Sequence, residues 1–102
     1  MKEMDVTMVR VYLHEREPQV RQIMSLLHDE IRVRGVTAFR GVAGFGASGQ
    51  WHTASVVDLS LDLPVVIEFF DEPARVREAL ERITGMCKPG HVVEWPVKVT
   101  VP

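Results

Sequence analysis

"EPQVRQIMSLLHDEIRVRGV" occupies Glu17–Val36, and "EPARVREALERITGMCKPGH" occupies Glu72–His91. The two stretches share a plan. Glu17-Pro18 maps onto Glu72-Pro73, and Gly35 onto Gly90, at an offset of 55 residues. Between these anchors the apolar positions match better at an offset of 56: Val20 with Val76, Ile23 with Ala79, Met24 with Leu80, Leu27 with Ile83, Ile31 with Cys87. The one-residue slip makes this an echo of pattern, which shared architecture alone can produce. Both segments read as helices. Proline suits a first turn, where its missing N–H would be unpaired anyway. Val20, Ile23, Met24, Leu27 and Ile31 give the first helix one apolar face, and Val76, Ala79, Leu80 and Ile83 give the second. Gly35 is expected to stop the first helix, and Asp71 to N-cap the second.

Strands flank each helix. "VTMVRVYL" (Val6–Leu13) is rich in β-branched residues and partly alternates, so it reads as strand one. "VTAFRGVAGF" (Val36–Phe45) reads as strand two, "LPVVIEFF" (Leu63–Phe70) as strand three and "HVVEWPVKVTV" (His91–Val101) as strand four. Pro96 places strand four at a sheet edge, since a central strand would lose a ladder hydrogen bond there. Two strand–helix–strand units predict an α+β, ferredoxin-like βαββαβ sandwich. Its four-stranded antiparallel sheet carries both helices on one face. Strand three then turns Leu63, Val65, Ile67 and Phe69 one way, and Pro64, Val66, Glu68 and Phe70 the other. A second face carrying Met8, Tyr12, Val66 and Phe70 among Arg10 and Glu68 reads as an assembly surface.

With 102 residues, 46% hydrophobic and 25% charged, the chain is expected to form one domain, 1–102. A net charge of -2 with interspersed signs offers no electrostatic footprint for nucleic acid. Cys87 is the single cysteine, so no internal disulfide can form, and no apolar run approaches membrane-spanning length. Together these predict a cytoplasmic protein.

The segment from about Gly46 to Ser60 joins the two halves and is long for a hairpin loop. Long loops in compact domains are usually functional or mobile. "GFGASG" (Gly44–Gly49) lets backbone approach a ligand, and successive N–H groups there can nest an anion. It spells G-x-G-x-x-G, but loop and strand follow it where a dinucleotide fingerprint needs a helix. A flexible hairpin and a ligand-binding loop both remain open. Trp51 could stack on a ligand, anchor a partner or fold back on its own subunit. The histidines are His14, His28, His52 and His91, none in a close metal-ligand pair, and no metal site is assigned beyond the option of one shared between subunits. His52 beside Thr53 and near Ser55 lacks the acid and oxyanion hole of a nucleophilic site, so no catalytic residue is assigned. Glu30, Glu78 and Glu81 interleave with Arg32, Arg77 and Arg82; the Glu78–Arg82 order favours local ion pairing.

"GVTAFRGVAGFGASGQWHTAS" (Gly35–Ser55) followed by "LDLPVVIEFFDEP" (Leu61–Pro73) resembles the prokaryotic family of domain of unknown function 190, a PII-like group. The resemblance covers nearly the whole chain. It implies a homotrimer of ferredoxin-like subunits with the sheets lining the interior. More distantly the chain is similar to the PII signalling proteins. These contact targets through a long mobile loop between strands two and three (the T-loop) and bind adenine nucleotides between subunits. Gly44, Phe45 and Gly46 resemble the loop base. "TGMCKPGH" (Thr84–His91) resembles the glycine-rich turn before strand four, with Lys88 and Gly90 as the best matches; with His91 they are the candidate ligand-binding residues of that turn. Ser48, Gly49, Trp51, His52, Thr53 and Ser55 fall on the partner-binding loop. The departures are a turn with fewer glycines and basic residues, no counterpart of the C-terminal phosphate-binding arginines before Pro102, and no loop tyrosine.

The family resemblance supplies no activity by itself; the leading expectation is a non-enzymatic regulator, with no cofactor assigned. A small ligand, with an adenine nucleotide as the candidate, would order the loop to engage a target such as a membrane transporter or channel. Two alternatives are a metal-binding trimer resembling CutA, losing its metal on replacement of His52 or His91, and a small cofactor-free oligomeric enzyme.

Overall fold

The computed structural model describes residues 1–53 and 62–102. The chain runs β1 (Lys2–His14), α1 (Gln19–Ser25), a π-helical turn (Leu26–Ile31), β2 (Gly35–Arg40), β3 (Ala43–Phe45) and β4 (Trp51–Thr53). It continues through β5 (Pro64–Asp71), α2 (Pro73–Ile83), a 3₁₀ turn (Thr84–Met86) and β6 (Val92–Val101). The main sheet is antiparallel, in the order β2-β5-β1-β6. This is the expected ferredoxin-like α+β arrangement, with each strand–helix–strand unit interleaved into the other. β6 lies at an edge, so Pro96, opposite Thr7, costs no ladder bond on a second side.

Strand alternation and helix periodicity converge on one core. Val9 and Val11 of β1 and Val65, Ile67 and Phe69 of β5 pack against Ile23, Leu26, Leu27 and Ile31, and against Val76, Ala79, Leu80 and Ile83 of α2. Val20 and Met24 line its margin. The opposite rows of the sheet are half-buried or exposed. The register aligns Phe39, Val66 and Tyr12 in one row, Thr37, Glu68, Arg10 and Val93 in the next, and Phe70, Met8 and Trp95 in a third. Arg10 donates to Glu68 at 2.7 Å and lies 5.6 Å from the Trp95 ring centroid. Its charge is thus balanced and partly covered on an otherwise apolar face.

The first helix does not end on Gly35. It widens into the π-helical turn and stops at Arg32, whose φ of 58° and ψ of 56° are left-handed. The N–H groups of Arg32 and Val33 both reach the Leu27 carbonyl, and Arg75 of α2 donates to the Ile31 carbonyl at 2.7 Å. These contacts satisfy orphan carbonyls that the expected glycine cap would have served. Gly35 instead opens β2 and lies under the Phe70 ring: a Cβ there would sit 2.8 Å from Phe70 Cε1.

Asp71 likewise does not cap α2; Glu72 holds the N-cap position and Pro73 follows it. Asp71 ends β5, buried, and accepts from the Glu72 N–H at 2.7 Å and the Arg34 N–H at 3.0 Å. It ties the entrance of α2 to the segment leading into β2. Arg82 pairs with Glu30 at 3.0 Å, joining the two helical segments instead of pairing along α2 with Glu78.

Candidate functional site

The expected strand two breaks after Arg40, and its C-terminal part leaves the main sheet. Gly41 still donates to the Pro64 carbonyl at 2.8 Å, and then the chain turns into β3, which pairs with β4 as a separate hairpin. The hairpin rests on Pro64. Cβ atoms at Gly41 and Gly44 would stand 3.2 Å from Pro64 Cβ and 3.0 Å from Pro64 Cγ, so side chains at these positions would lift it away. The hairpin turn is closed by the Gly49 N–H on the Gly46 carbonyl at 2.9 Å, and Gly49 takes a φ of 75°, which an L side chain rarely adopts. The segment expected to be an arm from Gly46 to Ser60 therefore begins as ordered structure through Thr53. Ser55 and the rest of that arm to Ser60 lie outside the described residues.

The positions expected to bind a ligand come together in part. A Cβ at Gly46 would be 3.7 Å from His91 Cε1, so the start of the hairpin turn approaches the turn before β6. That turn is set by the His91 N–H on the Lys88 carbonyl at 3.2 Å and by Gly90 with a φ of 81°. His91 is clasped to β1. Its carbonyl accepts from the Tyr12 N–H at 2.8 Å, and its ring Nδ1 faces the Tyr12 carbonyl at 3.1 Å. Lys88 and Gly90 are exposed beside it. Gly44 packs on Pro64, while Phe45 points outward and meets Trp51 edge to face, with centroids 4.7 Å apart. Phe45 and Trp51 remain 61% and 62% exposed. The pair forms an exposed apolar contact beside the hairpin turn; Val42, at the start of the hairpin, is exposed as well. Ser48 and Gly49 lie in the hairpin turn, and Thr53 ends β4.

Of the partner-loop positions, His52 stands apart. It is opposite Gly44 and turns inward onto the end of β1. Its ring stacks on that of His14, with centroids 4.7 Å apart and planes at 14°. Its Nδ1 lies 3.0 Å from the Asp62 carbonyl and 3.4 Å from Asp62 Oδ2. His14 sits between two carboxylates: Nδ1 is 2.8 Å from Asp62 Oδ2, and Nε2 is 3.1 Å from Glu17 Oε1. Burial alone would push the Asp62 carboxyl up, but the Arg16 N–H and the His14 ring outweigh it and hold it below the ordinary carboxylate range. Nearby, Glu15 accepts from the Arg40 side chain and from the Leu63 N–H, which together hold its carboxyl down.

Sequence spacing did not find this cluster. His14, His52 and Asp62 are far apart in the chain, and only the register that sets His14 opposite Pro64 brings them together. Pairing the end of strand one with the start of strand three was the one available signal. His28 is exposed and bonds its neighbour Asp29, away from the cluster. Two shallow hollows, of about 240 and 230 Å³, lie elsewhere, between α2 and β6 (Arg77, Leu80, Glu94) and beside β2 (Glu15, Phe39, Arg40).

The model of the family described as an uncharacterised ACR, domain of unknown function 190, matches residues 5–99. The chain belongs to this family. A UPF0166 protein of Aquifex aeolicus (strain VF5) is 30% identical over 96 residues, covering 94% of this chain and 98% of that protein. A second UPF0166 protein from the same strain is 36% identical over 53 residues, about half of each chain. Among solved structures, CPII of Thiomonas intermedia K12, a nitrogen regulatory PII-like protein bound to ADP, AMP and bicarbonate, superposes with a TM-score of 0.69 at 17% identity over 99% of both chains. A PII-like signalling protein from Thermus thermophilus gives a TM-score of 0.65 at 13% identity, over 99% of this chain and 93% of that one. The family member described here therefore has a PII-like fold. Among its described residues, no helix is long and apolar enough to cross a membrane.

Proposed function

We propose that this chain is a PII-like regulatory protein, not an enzyme, that binds a small anionic ligand between subunits and engages a target through the 46–60 segment. The observation that carries the reading is the approach of the hairpin turn to the turn before β6, where a Cβ at Gly46 would reach the His91 ring at 3.7 Å. Glycines at both places keep the backbone approachable, and the exposed Lys88 supplies a cation beside them. An adenine nucleotide is the candidate ligand. CPII, which shares the fold, is bound to ADP and AMP.

The subunits assemble as a homotrimer through the helix-free sheet face, whose Tyr12, Phe39, Val93 and Trp95 are each at least 38% exposed. Ligand binding beside Gly46 shifts the population of conformations of the attached segment. The exposed pair of Phe45 and Trp51 then offers the contact surface for a target, such as a membrane transporter or channel. Calorimetric titration with ADP, AMP and ATP tests the reading. Saturable binding that falls at least about tenfold in Lys88→Ala, with the far-ultraviolet spectrum unchanged, is the expected result; a tenfold loss corresponds to about 1.4 kcal/mol, just under the roughly 1.5–3 kcal/mol of a hydrogen bond to a charged group. Unaltered affinity in that variant contradicts the site.

A further inference from the structure

We propose that His14, His52 and Asp62 form a binding site for a divalent first-row transition metal of the zinc class, with Glu17 orienting His14. One donor atom from each of the three residues can be chosen so that all lie within 4.8 Å of one another. Asp62 Oδ2 is 2.8 Å from His14 Nδ1 and 3.4 Å from His52 Nδ1. Zinc–nitrogen and zinc–oxygen bonds of about 2.0–2.1 Å place neighbouring tetrahedral ligands roughly 3.3–3.5 Å apart. The two rings stack with their planes at 14° and His52 Nδ1 faces the Asp62 carbonyl at 3.0 Å, so ligation requires both rings to turn until one nitrogen of each points at a common ion. Two imidazoles with one carboxylate suit zinc, nickel or copper and disfavour the hard cations that take oxygen-only sets.

The surroundings are those of a ligand set held for a metal. Glu17 Oε1 faces the Nε2 of His14 at 3.1 Å, so that the ring presents Nδ1 towards Asp62 and His52. A carboxylate behind a ligating histidine fixes its tautomer and raises its basicity. The second oxygen, Glu17 Oε2, is buried and has no hydrogen-bond partner among the described residues. The two carboxylates give the site negative charge, and His14, Glu17, His52 and Asp62 side chains are only 15–29% exposed. Three protein donors leave a fourth position for water or an exogenous anion. The site joins the end of β1 to the hairpin and to the residue before Leu63, so a bound metal would fasten the hairpin to the main sheet. It is separate from the Gly46–His91 junction and does not depend on that junction's ligand.

The test uses the full chain stripped by a chelator. Zn²⁺ is titrated in competition with a chromophoric chelator, and Co²⁺ is added as a spectroscopic probe of the ligand set. Expected are one Zn²⁺ per chain, Co²⁺ absorption bands of four-coordinate intensity, and no displacement by excess Mg²⁺ or Ca²⁺. His52→Ala, on the exposed hairpin, and the isosteric Asp62→Asn should each weaken Zn²⁺ by more than about 100-fold. Glu17→Gln should cost roughly 10–100-fold, as loss of an outer partner does. His28→Ala and His91→Ala should bind as the parent does. No stoichiometric Zn²⁺ binding by the parent overturns the proposal, as does affinity unchanged in both His52→Ala and Asp62→Asn. Loss on His91→Ala with retention in His52→Ala would overturn it equally.

Discussion

The end of the first helix makes a prediction whose sign separates two readings of the same segment. Arg32 is exposed and left-handed, with a φ of 58°. For a residue with a Cβ that conformation costs about 1–2 kcal/mol. Arg32→Gly removes the cost but gives the unfolded chain more freedom, worth about 0.5–1 kcal/mol. The net expectation is a stabilisation of about 0.5–1 kcal/mol, against a total near 5–15 kcal/mol. For a domain of this size that raises the melting temperature by roughly 2–6 °C. Arg32→Ala keeps the strain and removes the charge, so it should be near neutral. Gly35→Ala puts a Cβ 2.8 Å from Phe70 Cε1. Phe70 lies on the open face and can turn away, so the cost should sit at the low end of overpacking, about 1 kcal/mol. Urea unfolding at fixed protomer concentration measures all three, with m values compared to exclude denatured-state effects. If the helix instead continued to Gly35, Arg32→Gly would insert a glycine into a helix interior and destabilise by about 1 kcal/mol. That sign, or equal gains from Arg32→Gly and Arg32→Ala, would refute the left-handed cap.

Three further outcomes are expected. Glu15 is held below its ordinary 4.5, first by the Arg40 hydrogen bond and then by the Leu63 N–H, so its contribution is complete above that value and lost as pH falls through the lowered one. The stability gap between the parent and Glu15→Gln should therefore be constant near neutrality and close in acid; a gap that persists at about pH 2–3 would contradict the assignment. Burial, and secondarily the charge of Glu17, raises the Cys87 thiol above its ordinary 9.0. Iodoacetamide at about pH 8 should then alkylate the native chain more slowly than the urea-unfolded chain, because the thiolate is the nucleophile; equal rates would refute it. Phe39→Asp places a charge on the open sheet face and should shift a trimer towards monomer in light scattering with helix content unchanged, whereas a parent that is already monomeric would mean that this face is not an assembly surface.

The architecture was legible because its determinants are local. Proline after glutamate opens the segment of each helix, apolar residues recur on one face, and Pro96 marks an edge. Alternation along Leu63–Phe70 even gave the correct face for each residue of β5 from Pro64 to Phe70. The misreadings arise where a tertiary contact decides. A glycine looks like a helix stop, yet Gly35 is needed under Phe70, and Arg32 takes the cap because Leu27 and Arg75 serve the free carbonyls. Strand two looks continuous from Val36 to Phe45, but Gly41 and Gly44 fit against Pro64 and carry the chain off the sheet. Asp71 has the composition of a cap and is used instead as a buried tie.

The candidate site divides in the same way. The loop base and the turn before strand four, matched by resemblance, come close enough that a Cβ at Gly46 would reach the His91 ring. His14, Glu17 and Asp62 carry no local motif, and the surroundings of His52 follow only from the antiparallel register of β1 and β5.

The junction of Gly46 with the Lys88–His91 turn is the proposed seat of an adenine nucleotide between subunits. Isothermal titration of the assembled protein with ADP tests this without an intermediary. Saturable binding with one nucleotide per chain is expected, weakened in Lys88→Ala and retained in His52→Ala. Absence of saturable binding by ADP, AMP or ATP at millimolar concentration would contradict it.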